Sequence, residues 1–144
     1  MYYVNQEQIN NVLAFIPTLS EACDELIQRT NAEQSGLIEY FAQERIIHVA
    51  IETVTDIGSL LIDGFIMRDA SSYEDIIDIL FDEKVITDTI YMPLKDLVSM
   101  RKSLVQQYMN VERIQLDAHL QKLPELMSMF SDSVQSFLRR ELAL

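Results

Sequence analysis

The tightest constraint on the fold lies in residues 37–67, where Ile47, Ile51, Val54, Gly58, Leu61 and Phe65 recur with 4-3-4-3-4 spacing. Positions three and four apart share one face of an α-helix, so this spacing predicts a helix over about 37–67 with its seam toward a core. Ile46, Val49, Ala50, Ile57, Leu60 and Ile62 widen the apolar arc. They leave Arg45, His48, Glu52, Thr55, Asp56, Ser59 and Asp63 as a narrower polar stripe. A helix apolar over so much of its circumference belongs at the centre of a bundle. Three glycines and three prolines are too few for the turns of a many-stranded sheet, so the fold class is all-α.

Four more helices are expected around it. The first covers about 5–29 and is kinked or split at Pro17, because an interior proline removes a backbone bond and crowds the preceding turn. Residues 31–36 connect it to the central helix. Ser71 and Ser72 ahead of Glu74 and Asp75 form a capping-box-like start for a third helix ending near Phe81, with Tyr73, Ile76, Ile77 and Leu80 buried. Thr87 or Asp88 caps a fourth that reaches Tyr108 or a little beyond, with Pro93 delaying its regular start. The fifth spans about 111–142, bent or divided at Pro124. A chain of 144 residues suits one domain over 1–144 with one core, a four- to five-helix up-down bundle.

Twenty-three acidic and 11 basic side chains leave a formal charge of −12. Most of such a surface repels a phosphate backbone, which argues against indiscriminate nucleic-acid binding. The acidic excess is uneven: Asp69, Glu74, Asp75, Asp78, Asp82 and Glu83 fall in one segment without Lys or Arg, leaving room for a basic site elsewhere. No stretch approaches the roughly 18 uninterrupted apolar residues of a membrane span, so a soluble protein with no membrane partner is expected. The opening residues show no basic leader or cleavage site, and Cys23 is the single cysteine. One thiol cannot form an internal disulfide or a Cys-based zinc cage and suits a reducing compartment, so the expected location is cytoplasmic.

Several patterns compete for the chemistry. Glu44, His48 and Glu52 are aligned four residues apart, as in carboxylate-bridged metal sites of bundles. Those sites need Glu-x-x-His from two helices, and Asp117-Ala118-His119 lacks that spacing. No metal or other cofactor is therefore expected, and His48 reads as an interfacial or network histidine. Glu74, Asp78 and Asp82 form a second aligned set, a solvated face before it is a docking surface for a basic partner. There is no Gly-rich phosphate loop and no Cys-His-Asn pattern. Met67, Met92, Met100, Met109, Met127 and Met129 read as core filler before an adaptable binding surface.

Residues 101–108, Arg-Lys-Ser-Leu-Val-Gln-Gln-Tyr, matter more. In a continuous helix Arg101, Val105 and Tyr108 share a face with Leu94, Leu97 and Val98. A guanidinium carried toward an apolar seam needs a carboxylate, a phosphate or an aromatic face to offset desolvation. Residue chemistry alone favours a structural arginine paired with an Asp or Glu of the second helix, with Tyr108 anchoring the bundle or a dimer seam. Anion binding is the other reading.

The pattern Arg101-x4-Gln106-x-Tyr108 resembles the Arg-x4-His-x-Tyr motif of HepT-like HEPN toxins at every fixed position but 106. Residues 62–69, Ile-Asp-Gly-Phe-Ile-Met-Arg-Asp, and 72–76, Ser-Tyr-Glu-Asp-Ile, are similar to an uncharacterised YutE-like branch of that family, which also carries Leu-Val-Gln-Gln-Tyr. The likeness spans about 1–140. It implies a HEPN-like bundle that is homodimeric and brings two motifs to one cleft, where RNA is cut without metal. By that resemblance Arg101 steadies phosphate charge, position 106 moves protons during attack by the ribose 2′-hydroxyl, and Tyr108 accepts AMP from a minimal nucleotidyltransferase antitoxin.

Gln106 departs from the motif. An amide exchanges no proton near neutral pH, and a positioned acid or base is worth about 10²–10⁴-fold, so cleavage is expected to be weak or lost. Gln106 can still hydrogen-bond a base or phosphate, while His48 and His119 sit on other helices. Position 106 is also about 140° around a helix from 101, so a shared site needs a helix end or a second subunit. The alternative function is a non-catalytic dimeric adaptor whose acidic third helix binds a basic protein.

Overall fold

The computed structural model describes residues 2–143. The chain forms α1 (Gln6–Asn31), α2 (Leu37–Gly64), α3 (Tyr73–Asp82), α4 (Asp88–Ser99), α5 (Arg101–Gln106) and α6 (Arg113–Leu142), with a single 3-10 turn at Tyr108–Asn110. No strand occurs among the described residues. α2 packs against all the other helices; Ile47, Ile51, Val54 and Leu61 along its seam are fully buried, as is Ile57 beside it. The central position expected from its wide apolar arc is therefore the one observed. None of the described helices is long and apolar enough to cross a membrane.

Three expectations about helix continuity are narrowed or changed. Of the two outcomes open at Pro17 and Pro124, a bend or a division, division does not occur: both lie inside unbroken helices. Ile9, Leu13 and Ile16 before Pro17 and Leu19, Cys23 and Leu26 after it are all buried, so one continuous apolar stripe outweighs the single lost backbone bond. The third change lies in the fourth helix, which stops at Ser99 instead of running to Tyr108. The Met100 amide turns back to the Leu97 and Val98 carbonyls, and α5 starts afresh at Arg101. The break resets the helical phase: Leu94, Leu97, Val98 and Leu104 are buried, whereas Val105 and Tyr108 are exposed and do not extend the seam.

α2 and α3 approach closely. A Cβ added to Gly58 would lie 2.4 Å from Ile76 Cγ2, so glycine is what allows this contact. Ser72 caps α3 by accepting from the Asp75 amide at 3.0 Å, as its position in the sequence implies. Ile76, Ile77 and Leu80 are buried as expected, but Tyr73 is half-exposed and turned to another partner. Cys23 is buried, donates to the Leu120 carbonyl at 3.3 Å, and burial pushes its thiol up to about 12. Such a thiol is no nucleophile. Met100 and Met127 are core residues and Met67 and Met129 pack on the core, while Met92 and Met109 are exposed.

Internal partners neutralise much of the acidic third helix. Arg68 grips Asp75 with two bonds of 2.7 and 2.9 Å, and the Ser71 amide adds a third at 2.9 Å. Asp78 accepts from the Tyr91 hydroxyl and pairs with Lys95 at 2.9 Å. The Arg68 guanidinium first, then the Ser71 amide, hold the Asp75 carboxyl far below the usual carboxylate range. A depressed carboxyl stabilises the fold fully above its unfolded pKa, and this stabilisation is lost as pH falls through the folded value. The expected result is a side-chain ¹³C titration in which Asp75 is still ionised at about pH 3, where an unpaired aspartate is mostly protonated.

Candidate functional site

The break between α4 and α5 positions Arg101. As the first residue of α5, its side chain reaches α2, where Nε donates to Glu52 Oε1 at 2.9 Å. The guanidinium lies over the Tyr73 ring, 3.9 Å from its centroid. One carboxylate and one aromatic face thus orient the group, as desolvation requires. The pairing with an acid of the second helix, favoured by residue chemistry alone, is present through Nε. It does not close the site: the Arg101 side chain is 27% exposed, and among the described residues Nη1 and Nη2 have no protein acceptor.

Glu52 belongs to the aligned stripe Glu44, His48, Glu52, now half-buried beside α5 and the start of α6. His48 Nε2 lies 3.4 Å from Glu52 Oε1, the oxygen that Arg101 also contacts. Two turns earlier, Glu44 pairs with Arg113 Nη2 at 2.7 Å. Arg113 Nη1 also donates to the Tyr40 carbonyl at 3.1 Å, with the guanidinium 4.9 Å from the Tyr40 ring centre. Both carboxylates are therefore turned to arginines. Segment 101–113 is pinned to α2 at both ends, at levels about 12 Å apart along the helix axis, with His48 midway.

Gln106 and Tyr108 lie in this pinned segment. Gln106 is the last residue of α5, and Tyr108 opens the 3-10 turn after Gln107, so the two belong to different turns. Both are exposed, Tyr108 by 64%, and neither side chain has a hydrogen-bond partner among the described residues. The fold thus brings Arg101 together with Glu52, Tyr73 and His48, and leaves Gln106 and Tyr108 facing solvent on the chain that passes alongside. Arg45, one turn before His48, and Lys102, beside Arg101, have no carboxylate partner among the described residues. His119 lies elsewhere, in a groove between α4 and α6 with Asp96 and Lys122, where burial lowers its pKa.

Sequence reasoning required a carboxylate or an aromatic face for Arg101 but did not identify Glu52 and Tyr73. Glu52 carried a usable signal, since it shares the polar stripe of α2 with His48. Tyr73 carried none, because an amphipathic pattern places a tyrosine on the buried face without saying where its ring edge emerges.

Known proteins share this arrangement of helices. Over 142 residues the chain is 37% identical to the Bacillus subtilis (strain 168) protein named "Putative RNase YutE", covering 99% of this chain and 95% of that protein. The solved structure of YutE, a cytosolic protein of unknown function from Bacillus subtilis, superposes with a TM-score of 0.86 at 36% identity, over 100% of this chain and 97% of the other. A tri-AMPylated Shewanella oneidensis HEPN toxin, solved in complex with its MNT antitoxin, shares the fold with a TM-score of 0.79 at 17% identity, over 89% and 96% of the two chains. A toxin–antitoxin structure with AMP-PNP does so at 0.80 and 16%, over 89% and 97%. The profile of the HepT-like ribonuclease family matches residues 16–132, and with YutE this similar over nearly its whole length, the chain belongs to the HepT-like family.

Proposed function

We propose that this protein is a HEPN protein of toxin–antitoxin type that binds RNA or nucleotide phosphate at Arg101, with cleavage weakened or lost because Gln106 stands at the motif's histidine position. The observation that carries this reading is the Arg101 guanidinium itself, oriented by Glu52 and Tyr73 with both Nη groups unoccupied. A planar fork held from one edge presents its other edge to two oxygens of a phosphate. Arg45 and Lys102 add positive charge nearby on an otherwise acidic protein, which localises an anion rather than coating the surface.

The same reading makes the protein a homodimer with a minimal nucleotidyltransferase as partner and Tyr108 as AMP acceptor. Tyr108 is an exposed residue. Exposed Leu37, Ile38 and Phe41 at the start of α2 lie on the two elements joined by Arg113 and Tyr40, as does Ile114 of α6. Apolar residues gathered at one end of a bundle suit a second copy. The docking reading of α3 has less support, since Asp75 and Asp78 already have partners.

Fluorescence anisotropy with a labelled single-stranded RNA tests the proposal. Arg101→Ala is expected to weaken binding about 10- to 100-fold, the worth of hydrogen bonds to a charged group. Supplied with ATP and a cognate transferase, the native protein is expected to gain AMP on Tyr108 by peptide mass spectrometry, and sedimentation should give a dimer that Phe41→Asp splits. Equal RNA affinity in native protein and Arg101→Ala would remove the phosphate-binding reading.

A further inference from the structure

We infer that His48, which lies outside the motif, is the proton-transfer group of this site. The inference rests on the reading of Arg101 as a phosphate-binding residue. It starts from a convergence that the sequence does not reveal: the imidazole of α2 and the guanidinium of α5 meet on one oxygen, Oε1 of Glu52, at 3.4 and 2.9 Å. One phosphodiester held by the free edge of Arg101 is therefore beside an imidazole. The His48 side chain is 29% exposed, so an incoming ribose can reach it.

The surroundings decide which nitrogen works. Glu52 beside Nε2 favours the proton on that nitrogen, as carboxylates do for orienting histidines, and leaves the lone pair on Nδ1. Nδ1 has no protein partner among the described residues. The charged and titratable groups around His48 are Glu44, Arg45 and Glu52 on its own helix, Arg101 from α5, Arg113 from α6 and Tyr73 from α3 across Arg101. Both carboxylates are paired with arginines.

The step balances without a cofactor. Nδ1 takes the proton of a ribose 2′-hydroxyl as the 2′-oxygen bonds to the adjacent phosphorus. The bond from phosphorus to the 5′-oxygen breaks, the leaving oxygen takes a proton from water, and the hydroxide so formed takes back the proton held on Nδ1, which regenerates the neutral imidazole. The products are a 2′,3′-cyclic phosphate and a 5′-hydroxyl, with Arg101 stabilising the charge on the non-bridging oxygens. Segment 101–113, tied to α2 on both sides of His48, includes the exposed Gln106, whose amide can hydrogen-bond a base or phosphate.

The experiment measures affinity and cleavage separately. A labelled RNA is titrated against native protein, His48→Gln and His48→Asn, and single-turnover cleavage is then followed between about pH 5 and 8, the range in which a histidine changes charge. The native protein is expected to cleave slowly to the cyclic phosphate, with a rate that rises with pH, as a step that needs a free base does. Both variants should bind RNA within about twofold of native, which shows the fold intact, yet cleave on the order of 100-fold more slowly and without that rise. A native protein that binds RNA without cleaving it at any pH, or variants that cleave as fast as native, would overturn the role of His48 and leave phosphate binding by Arg101 standing. A native protein that binds no RNA removes both.

Discussion

Replacing Gln106 by histidine is expected to raise RNA cleavage by on the order of 100-fold, the lower end of what a positioned acid or base contributes. That gain corresponds to about 2.7 kcal/mol of barrier. Position 106 closes α5, is exposed and has no side-chain partner, so an imidazole fits there without disturbing the core. The substitution also separates two sources of proton transfer. In a His48→Gln background the new histidine acts alone, and Gln106→His should restore cleavage lost with His48. Cyclic-phosphate formation under single-turnover conditions is the measurement. No gain in a variant that still binds RNA would show that position 106 is turned away from the scissile phosphate.

The second large effect concerns the scaffold behind the site. Gly58→Val is expected to destabilise the protein by about 1–3 kcal/mol, the usual result of forcing extra methyl groups into a packed contact. The Cβ alone would sit 2.4 Å from Ile76 Cγ2, a methyl on the branched Cβ of a buried residue, where χ1 has little freedom to turn it aside. α2 and α3 must therefore separate. Gly58→Ala meets the same contact but regains up to about 1 kcal/mol of helix propensity, so its net loss is smaller. Urea unfolding of the single variants and of a Gly58→Ala, Ile76→Ala double variant measures the coupling. Removing the Ile76 side chain should cost less in the alanine background than in the native one, because the two groups compete for one space. Tyr73 lies one turn before Ile76, so separating α2 from α3 should also draw the ring from beneath Arg101 and weaken RNA binding. Full stability in Gly58→Val would show that the contact relaxes freely.

Both predictions depend on a site that was only partly legible. The motif residues Arg101, Gln106 and Tyr108 could be picked out by resemblance, and a carboxylate on the second helix could be demanded from the cost of burying a guanidinium. The placement of His48 beside that guanidinium could not, because 53 positions separate His48 from Arg101 along the chain. Periodicity reports which face of a helix a residue occupies, not which face of another helix lies opposite. The same limit hid Tyr73, placed on the buried side of α3 although its ring emerges to support Arg101.

What the chain determined locally was the set of helices and their buried faces: the α2 seam, the Ser72 cap and, among the described residues, the absence of strands follow from spacing and capping chemistry over a few residues. Tertiary packing decided where helices continue and where they stop. Pro17 and Pro124 are local breakers overridden by unbroken apolar stripes, while residues 98–101, Val-Ser-Met-Arg, contain no breaker yet divide α4 from α5. That division keeps Leu104 in the core and delivers Arg101 to Glu52. A buried leucine and a partly buried ion pair together offset the backbone bonds given up, and only the folded neighbours can make that comparison.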